Sequence, residues 1–308
     1  MRLDLRNDLQ QNNRANSIIK YFPPFFLILP VQGSTEMQLS PSPSLSHIVK
    51  HYLVLEREED IHLNYRLFSD GNPGLVFHFK YPLIQYGSNQ LTGTIQPKSF
   101  IYGQITHYND LRSSGDLGML VVVLQPYGIF KLLNIPASEM NNSLIPLADI
   151  FGREAMALED QVLNADNLFP IIHSVERFLL KKGTPAKHND PVFEESLQLI
   201  YQHKGILTIE ELLKKIPVTE RQLERKYNKY IGTGPKKFSD IIKFQHFLKL
   251  LQRHQSDKKM TDAVYDSGYY DQSHLNNYFK KTTGLTPWQY KLDHHLLAVN
   301  FMQLSAKA

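Results

Sequence analysis

The chain contains no cysteine among its 308 residues. Disulfides and thiolate metal sites are therefore excluded, and nothing calls for an oxidising compartment. It also lacks an apolar run of the roughly 18 residues that a membrane-spanning helix needs. The nearest stretch, Tyr21 to Val31, is interrupted by Pro23-Pro24. It reads poorly as a signal peptide, because Asp4 and Asp8 accompany Arg2 and Arg6 ahead of it and no small-residue cleavage site follows. A cytoplasmic protein without a membrane partner is expected. No Gly-x-Gly-x-x-Gly, Walker-type loop or serine nucleophile elbow occurs. Histidines are scattered. His62, His78 and His107 show no His-x-His pairing of the kind a β-barrel metalloenzyme uses, and His78 between Phe77 and Phe79 reads as a satisfied or solvent-facing residue. His294-His295 would point about 100° apart on a helix and would not chelate. The expectation is a non-enzyme with no metal and no cofactor.

Charge is present but unevenly placed. Between Lys204 and Lys291 there are 17 Lys+Arg and 9 Asp+Glu, whereas the rest of the chain holds 17 basic and 21 acidic residues. A basic block on an acidic body suggests a polyanion partner for the block. Aromatic residues are abundant, with 16 Tyr, 17 Phe and one Trp. In the N-terminal half they serve core packing or line a ligand pocket. Trp288 reads as a packing or backbone-contact residue.

Residues 1–36 are Asn- and Gln-rich, then bulky and Pro-broken, and are expected to be a disordered extension or sequence upstream of a start at Met37. From about Leu53 to Gln125 short runs rich in β-branched and aromatic residues alternate with turn signals such as Asp70-Gly71 and Asn72-Pro73-Gly74. That spacing predicts an antiparallel barrel or sandwich over 37–153. Helical periodicity follows at 129–133, 145–151, 155–163 and 168–180. Residues 154–190 are read as a helical connector and linker, 191–296 as an all-helical domain and 297–308 as a tail. The fold class is α+β.

The helical domain repeats. Placing Val218–Phe238 over Tyr270–Tyr290, an offset of 52, matches Leu223 with Leu275, Tyr227 with Phe279 and Lys229 with Lys281. Gly232 then meets Gly284, Pro235 meets Pro287, and Phe238 meets Tyr290. Leucine and aromatic lie four apart on one helix face, the glycine suits a left-handed C′ position, and the proline suits the first turn of the next helix. A short helix precedes each unit. Thr208 with Glu211 and Thr219 with Gln222 are capping boxes, and Gly268 marks the turn in the second unit. The result is a helix-turn-helix twice over. The helix from Pro235 to about Leu251 that joins them spans roughly 25 Å. That is the scale of successive major-groove segments, ~34 Å apart.

Opposite the apolar positions, the second helix of unit one carries Arg221, Glu224, Arg225 and Asn228, and that of unit two carries Gln272, Ser273, His274, Asn276, Asn277 and Lys280. Donor-rich side chains of this kind read base edges, and lysines contact phosphates. The stretch from Gly268 through Pro287, followed by Tyr290, resembles the signature of AraC/XylS-type regulators, and the first unit fits that family's less regular copy. The resemblance implies two helix-turn-helix units on one side of the DNA and an N-terminal domain that binds an effector or dimerises. Carried over, the base-reading positions are Arg221, Glu224, Arg225, Ser273, His274 and Asn277. Thr219, Lys229, Lys236, Gln272, Lys280 and Lys281 are the backbone contacts. Asn276-Asn277 stands where relatives frequently have an arginine. Glu224 can only accept, so a cytosine amino group is its partner. The β-rich segment is similar, through Pro41 to Leu45, Asp70-Gly71, Gln125 to Gly128 and Leu147 to Gly152, to the region preceding such domains in Bacteroidetes-type regulators.

The expected function is that of a sequence-specific transcriptional regulator, an activator in kind, with double-stranded DNA as partner. RNA polymerase, a small-molecule effector and a second copy of the chain are further candidate partners. The alternatives are a cupin-like small-molecule or metal enzyme with an accessory helical domain, and a protein-interaction adaptor.

Overall fold

Two central strands carry unbroken apolar runs, and the computed structural model shows why. It describes residues 26–27, 34–58, 62–86, 92–183, 190–253, 260–292 and 296–304. Strands β5 (Gly74–His78) and β10 (Leu117–Leu124) are buried at every position, because one sheet face meets helices and the other meets a second sheet. A strand covered on both faces has no polar side to alternate with.

The first sheet runs in the order β1 (Phe26–Leu27), β2 (Ser34–Leu39), β3 (Val49–Arg57), β10, β5, β8 (Ser99–Tyr102) and β11 (Leu144–Pro146). The second contains β4 (Asn64–Leu67), β6 (Ile84–Tyr86), β7 (Thr94–Ile95) and β9 (Asn109–Arg112), and ends in a hairpin of β12 (Leu296–Ala298) and β13 (Phe301–Leu304). The two sheets pack as a sandwich-like pair rather than a single closed barrel, around Leu53, Tyr65, Phe100, Val121 and Phe301. On the other face of the first sheet, Tyr52, Leu75, Phe77, Leu120 and Val122 meet α1 (Gly128–Leu133), α2 (Leu147–Phe151), α3 (Arg153–Leu163) and α4 (Leu168–Lys182).

The structure departs from the sequence reading at three places. β2 starts at Ser34 and pairs with β3, so the boundary placed at Met37 falls inside a strand; most of residues 1–33 lie outside the described residues. The helices read as a connector are part of the β domain's core, since Leu158, Val162, Ile171, Val175 and Leu179 all contribute to it. Of the linker after Lys182, residues 184–189 lie outside the described residues, as do His294 and His295. At the C-terminus, residues 296–304, read as the end of the helical domain and the start of a tail, form a β-hairpin instead. β13 runs antiparallel to β4, with Phe301 opposite Leu67 and Met302 opposite Arg66. The edge strand β4 needs a partner for its ladder, and the chain end supplies it.

The helical domain holds seven helices among the described residues: α5 (Pro191–Gln202), α6 (Ile209–Leu213), α7 (Glu220–Tyr230), α8 (Pro235–Arg253), α9 (Met260–Asp266), α10 (Gln272–Thr283) and α11 (Pro287–Leu292). No helix among the described residues is long and apolar enough to cross a membrane.

Candidate nucleic-acid interface

Both units are built as the offset of 52 requires. Leu223, Tyr227 and Phe238 are buried in one core, and Leu275, Phe279 and Tyr290 in another. The matched aromatic pairs meet in both: Tyr227 and Phe238 at 6.0 Å between ring centroids, Phe279 and Tyr290 at 5.6 Å. Pro235 and Pro287 open α8 and α11. Gly232 and Gly284 have φ of +92° and +72°, the left-handed region that disfavours a Cβ. Gly268, at φ +76°, makes the turn between α9 and α10.

The N-termini of the two presented helices are pinned at the same offset. The Thr219 hydroxyl accepts from the Gln222 amide at 3.3 Å while Gln222 Oε1 accepts from the Thr219 amide at 3.0 Å, completing the capping box. At the matched position, Asp271 Oδ1 accepts from the His274 amide at 2.7 Å. Sequence reasoning missed Asp271 as a cap, although its place 52 residues after Thr219 carried the signal. It also missed the box formed by Thr286 and Gln289 ahead of α11.

From those fixed ends Arg221 and Arg225 project to solvent on α7, and Gln272, Ser273, His274 and Asn277 on α10. Glu224 is half-buried; the Asn228 side-chain amide donates to its backbone carbonyl at 2.9 Å and reaches its carboxylate at 3.5 Å. Lys236, Lys280 and Lys281 are exposed. Lys229 turns its ammonium toward the β domain, 5.0 Å from the Phe130 ring centroid and 5.3 Å from that of Tyr230. Trp288 is 63% exposed, so it is not a packing residue, and Tyr270, directly before Asp271, is 92% exposed. Cationic and amide donors on two capped helices can engage phosphates and base edges.

A family model described as a helix-turn-helix domain matches residues 212–292. That span takes in α7, α8, α10 and α11 together. Residues 212–292 are an AraC/XylS-type helix-turn-helix domain. A chain carrying this helix-turn-helix domain is a DNA-binding transcription regulator. A second family model, described as a domain of unknown function (DUF6597), matches residues 37–146. No curated protein matches the chain. Among solved structures, it is similar to an apo variant of ToxT from Vibrio cholerae strain SCE256, with 14% identity over 78% of this chain and 96% of that one, at a TM-score of 0.45. ToxT from Vibrio cholerae O395 bound to (E)-4-(8-methylnaphthalen-1-yl)but-3-enoic acid is 11% identical over 78% and 98% of the two chains, at a TM-score of 0.44. The AraC-like transcriptional activator CuxR is 14% identical over 77% and 89%, at a TM-score of 0.30.

Between the two sheets lies a cavity of about 110 Å³. Cross-strand register explains its lining. Leu53, Val121, Val76 and Phe100 form one apolar row across the first sheet, and His51, Val123, Gly74 and Tyr102 form the next row on the same face. The second sheet adds Leu67, Asn109 and Leu111, and the C-terminal hairpin adds Ala298 and Phe301. Burial pushes the His51 imidazole down to about 4, with Lys50 adding to the shift. Farther along, His78 is buried with its Nε2 3.2 Å from Gln96 Oε1, and burial likewise lowers it to about 4. Among the described residues no group of three His, Asp or Glu side chains is placed to hold a metal ion.

Proposed function

We propose that the chain is a cytoplasmic regulator whose helices α7 and α10 read two successive major-groove segments. Arg221, Glu224 and Arg225 take one segment, and Ser273, His274 and Asn277 take the other. Thr219, Lys236, Gln272, Lys280 and Lys281 hold the phosphates. Lys229, exposed although its ammonium lies 5.0 Å from the Phe130 ring centroid, belongs to the same set. The observation that carries this reading is the doubled construction itself: two capped helices, each with a buried Leu-aromatic face and an exposed donor-rich face.

The β domain, spanning the strands and α1–α4, modulates occupancy through a small molecule in the inter-sheet cavity. The mostly apolar lining with a few polar groups supports this. Dimerisation and contact with RNA polymerase are further routes by which bound protein acts on transcription.

A gel shift of the full chain on genomic fragments at two salt concentrations tests the reading. A subset of fragments should shift at both salts, with general binding lost at the higher. Uniform binding to all fragments at low salt only, or none at all, would refute it.

A further inference from the structure

The glycine that ends each presented helix also meets the β domain, through a different residue in each unit. At the end of α7, the Asn141 side-chain amide donates to the Gly232 carbonyl at 2.6 Å. A Cβ on Gly232 would come within 2.6 Å of Asn141 Oδ1 and 2.9 Å of the Ala137 carbonyl. At the end of α10, Arg66 Nη1 donates to the carbonyl of Thr283, the last helical residue, at 3.1 Å. A Cβ on Gly284 would lie 2.5 Å from Arg66 Nη1 and 2.9 Å from the Tyr108 ring.

Arg66 is held rigidly for this contact. Its Nε and Nη2 donate to the two Asp110 oxygens at 2.6 and 2.8 Å, and its guanidinium lies 4.2 Å from the Tyr108 ring centroid. The remaining nitrogen points at a helix C-terminus, where carbonyl dipoles favour a cation. The strand bearing Arg66 is in turn fixed by β13, which follows the second unit in the chain.

We infer that Asn141 and Arg66 are positioning residues for DNA recognition. Between the units themselves the links are α8, which enters both cores, and the approach of Ile206 to Gly268; neither reaches the C-terminal ends of α7 and α10. Two anchors on one rigid sandwich fix the separation and angle of α7 and α10, and with them the spacing of the DNA segments they read. The inference rests on the proposal that these helices read DNA, but the clamp can be measured without DNA.

The absence of cysteine makes this direct. Glu220→Cys and Gln272→Cys place single thiols at the exposed first positions of α7 and α10. Spin labels there report the inter-helix distance distribution. In the otherwise native chain it should be one narrow peak. Adding Arg66→Gln and Asn141→Ala should broaden it at least twofold. A broad native distribution, or an unchanged width in the variant, would overturn the clamp. If the double variant shows no cooperative melting, Asp110→Asn, which frees the Arg66 fork without touching a helix end, is read by the same criterion.

Selection from random 40-base-pair duplexes then tests the consequence. The native full chain should recover two motifs at one spacing, and the variant the same motifs at several spacings. A single unchanged spacing in both would overturn the positioning role. Recovery of no motif by the native chain would remove the DNA-reading proposal and with it the spacing claim, while the label distances still decide the clamp.

Discussion

Arg225 and Arg221 leave α7 one turn apart, exposed and pointing away from the buried Leu223 and Tyr227. A guanidinium so placed can bond guanine O6 and N7 bidentately. Arg225→Ala should cost about 1–3 kcal/mol on a selected duplex and relax preference at one base position. Equal loss on selected and random duplexes, measured by fluorescence anisotropy, would count against base readout. Lys280 sits in the last turn of α10, exposed, with Lys281 beside it. Lys280→Ala should weaken binding on every duplex and reduce the salt slope by about one. An unchanged slope would contradict a phosphate role. The exposed positions were legible in the sequence because the Leu-aromatic pairs fix which helix face is buried. The neighbour of Lys229 was not legible. Lys229 matches Lys281 in the repeat, yet its ammonium is drawn to Phe130, a residue 99 positions earlier in the chain. The spacing of one helix cannot reveal a partner on another domain.

At the scale of elements, caps and C′ glycines were readable because each is decided within four residues. Thr219 with Gln222 shows this. The hydroxyl and the glutamine oxygen satisfy each other's backbone amides, so α7 starts where its reading face requires. Thr219→Ala should therefore cost about 1 kcal/mol, read as a lower urea midpoint with an unchanged m-value. No change in midpoint would mean that the box contributes nothing to stability. The C-terminal hairpin was not readable on the same terms. The stretch Leu296-Leu-Ala-Val-Asn-Phe-Met-Gln-Leu304 offers apolar residues to either period. What selects the strand is β4, more than two hundred residues earlier, whose edge accepts β13 from Asn64 to Leu67. The Phe68 amide donates to the Asn300 carbonyl and the Asn300 side chain donates back to the Phe68 carbonyl, both at 3.0 Å, closing the junction. Helices α3 and α4 had the same difficulty. Their periodicity was clear, but that it serves the sheet rather than a linker depends on which face of β10 was still uncovered.

For the whole molecule, the sandwich and the DNA-binding domain share a core. Phe68, from the β domain, is buried among Phe244 and Tyr290 of the second unit, at 6.2 and 6.4 Å between centroids. Gly71 lies against Phe238 and Ile241, and the Gln245 amide on α8 donates to the Ser69 carbonyl at 2.9 Å. Destabilising the sandwich should thus be felt in the fold of the entire chain, and buried His78 gives a way to do so without a mutation. Its folded-state value near 4 lies below the ordinary 6.5, because burial penalises the charged ring more than the Gln96 contact favours it. Between those values the unfolded chain binds the proton and the folded chain does not, so stability falls as pH drops through the window. From pH 7 to pH 5 the loss from this residue should be about 2 kcal/mol. His78→Gln removes the titrating group while keeping a side chain able to meet Gln96. Urea unfolding of both proteins at the two pH values should show a smaller fall for the variant, by about that amount. Parallel falls would show that the acid sensitivity comes from elsewhere. Because the cores are continuous, fluorescence from Trp288, on α11 of the DNA-binding domain, should report the same midpoint as far-ultraviolet circular dichroism, which averages over the sheets as well. Separate midpoints would mean that the two domains unfold independently despite the shared Phe68 cluster.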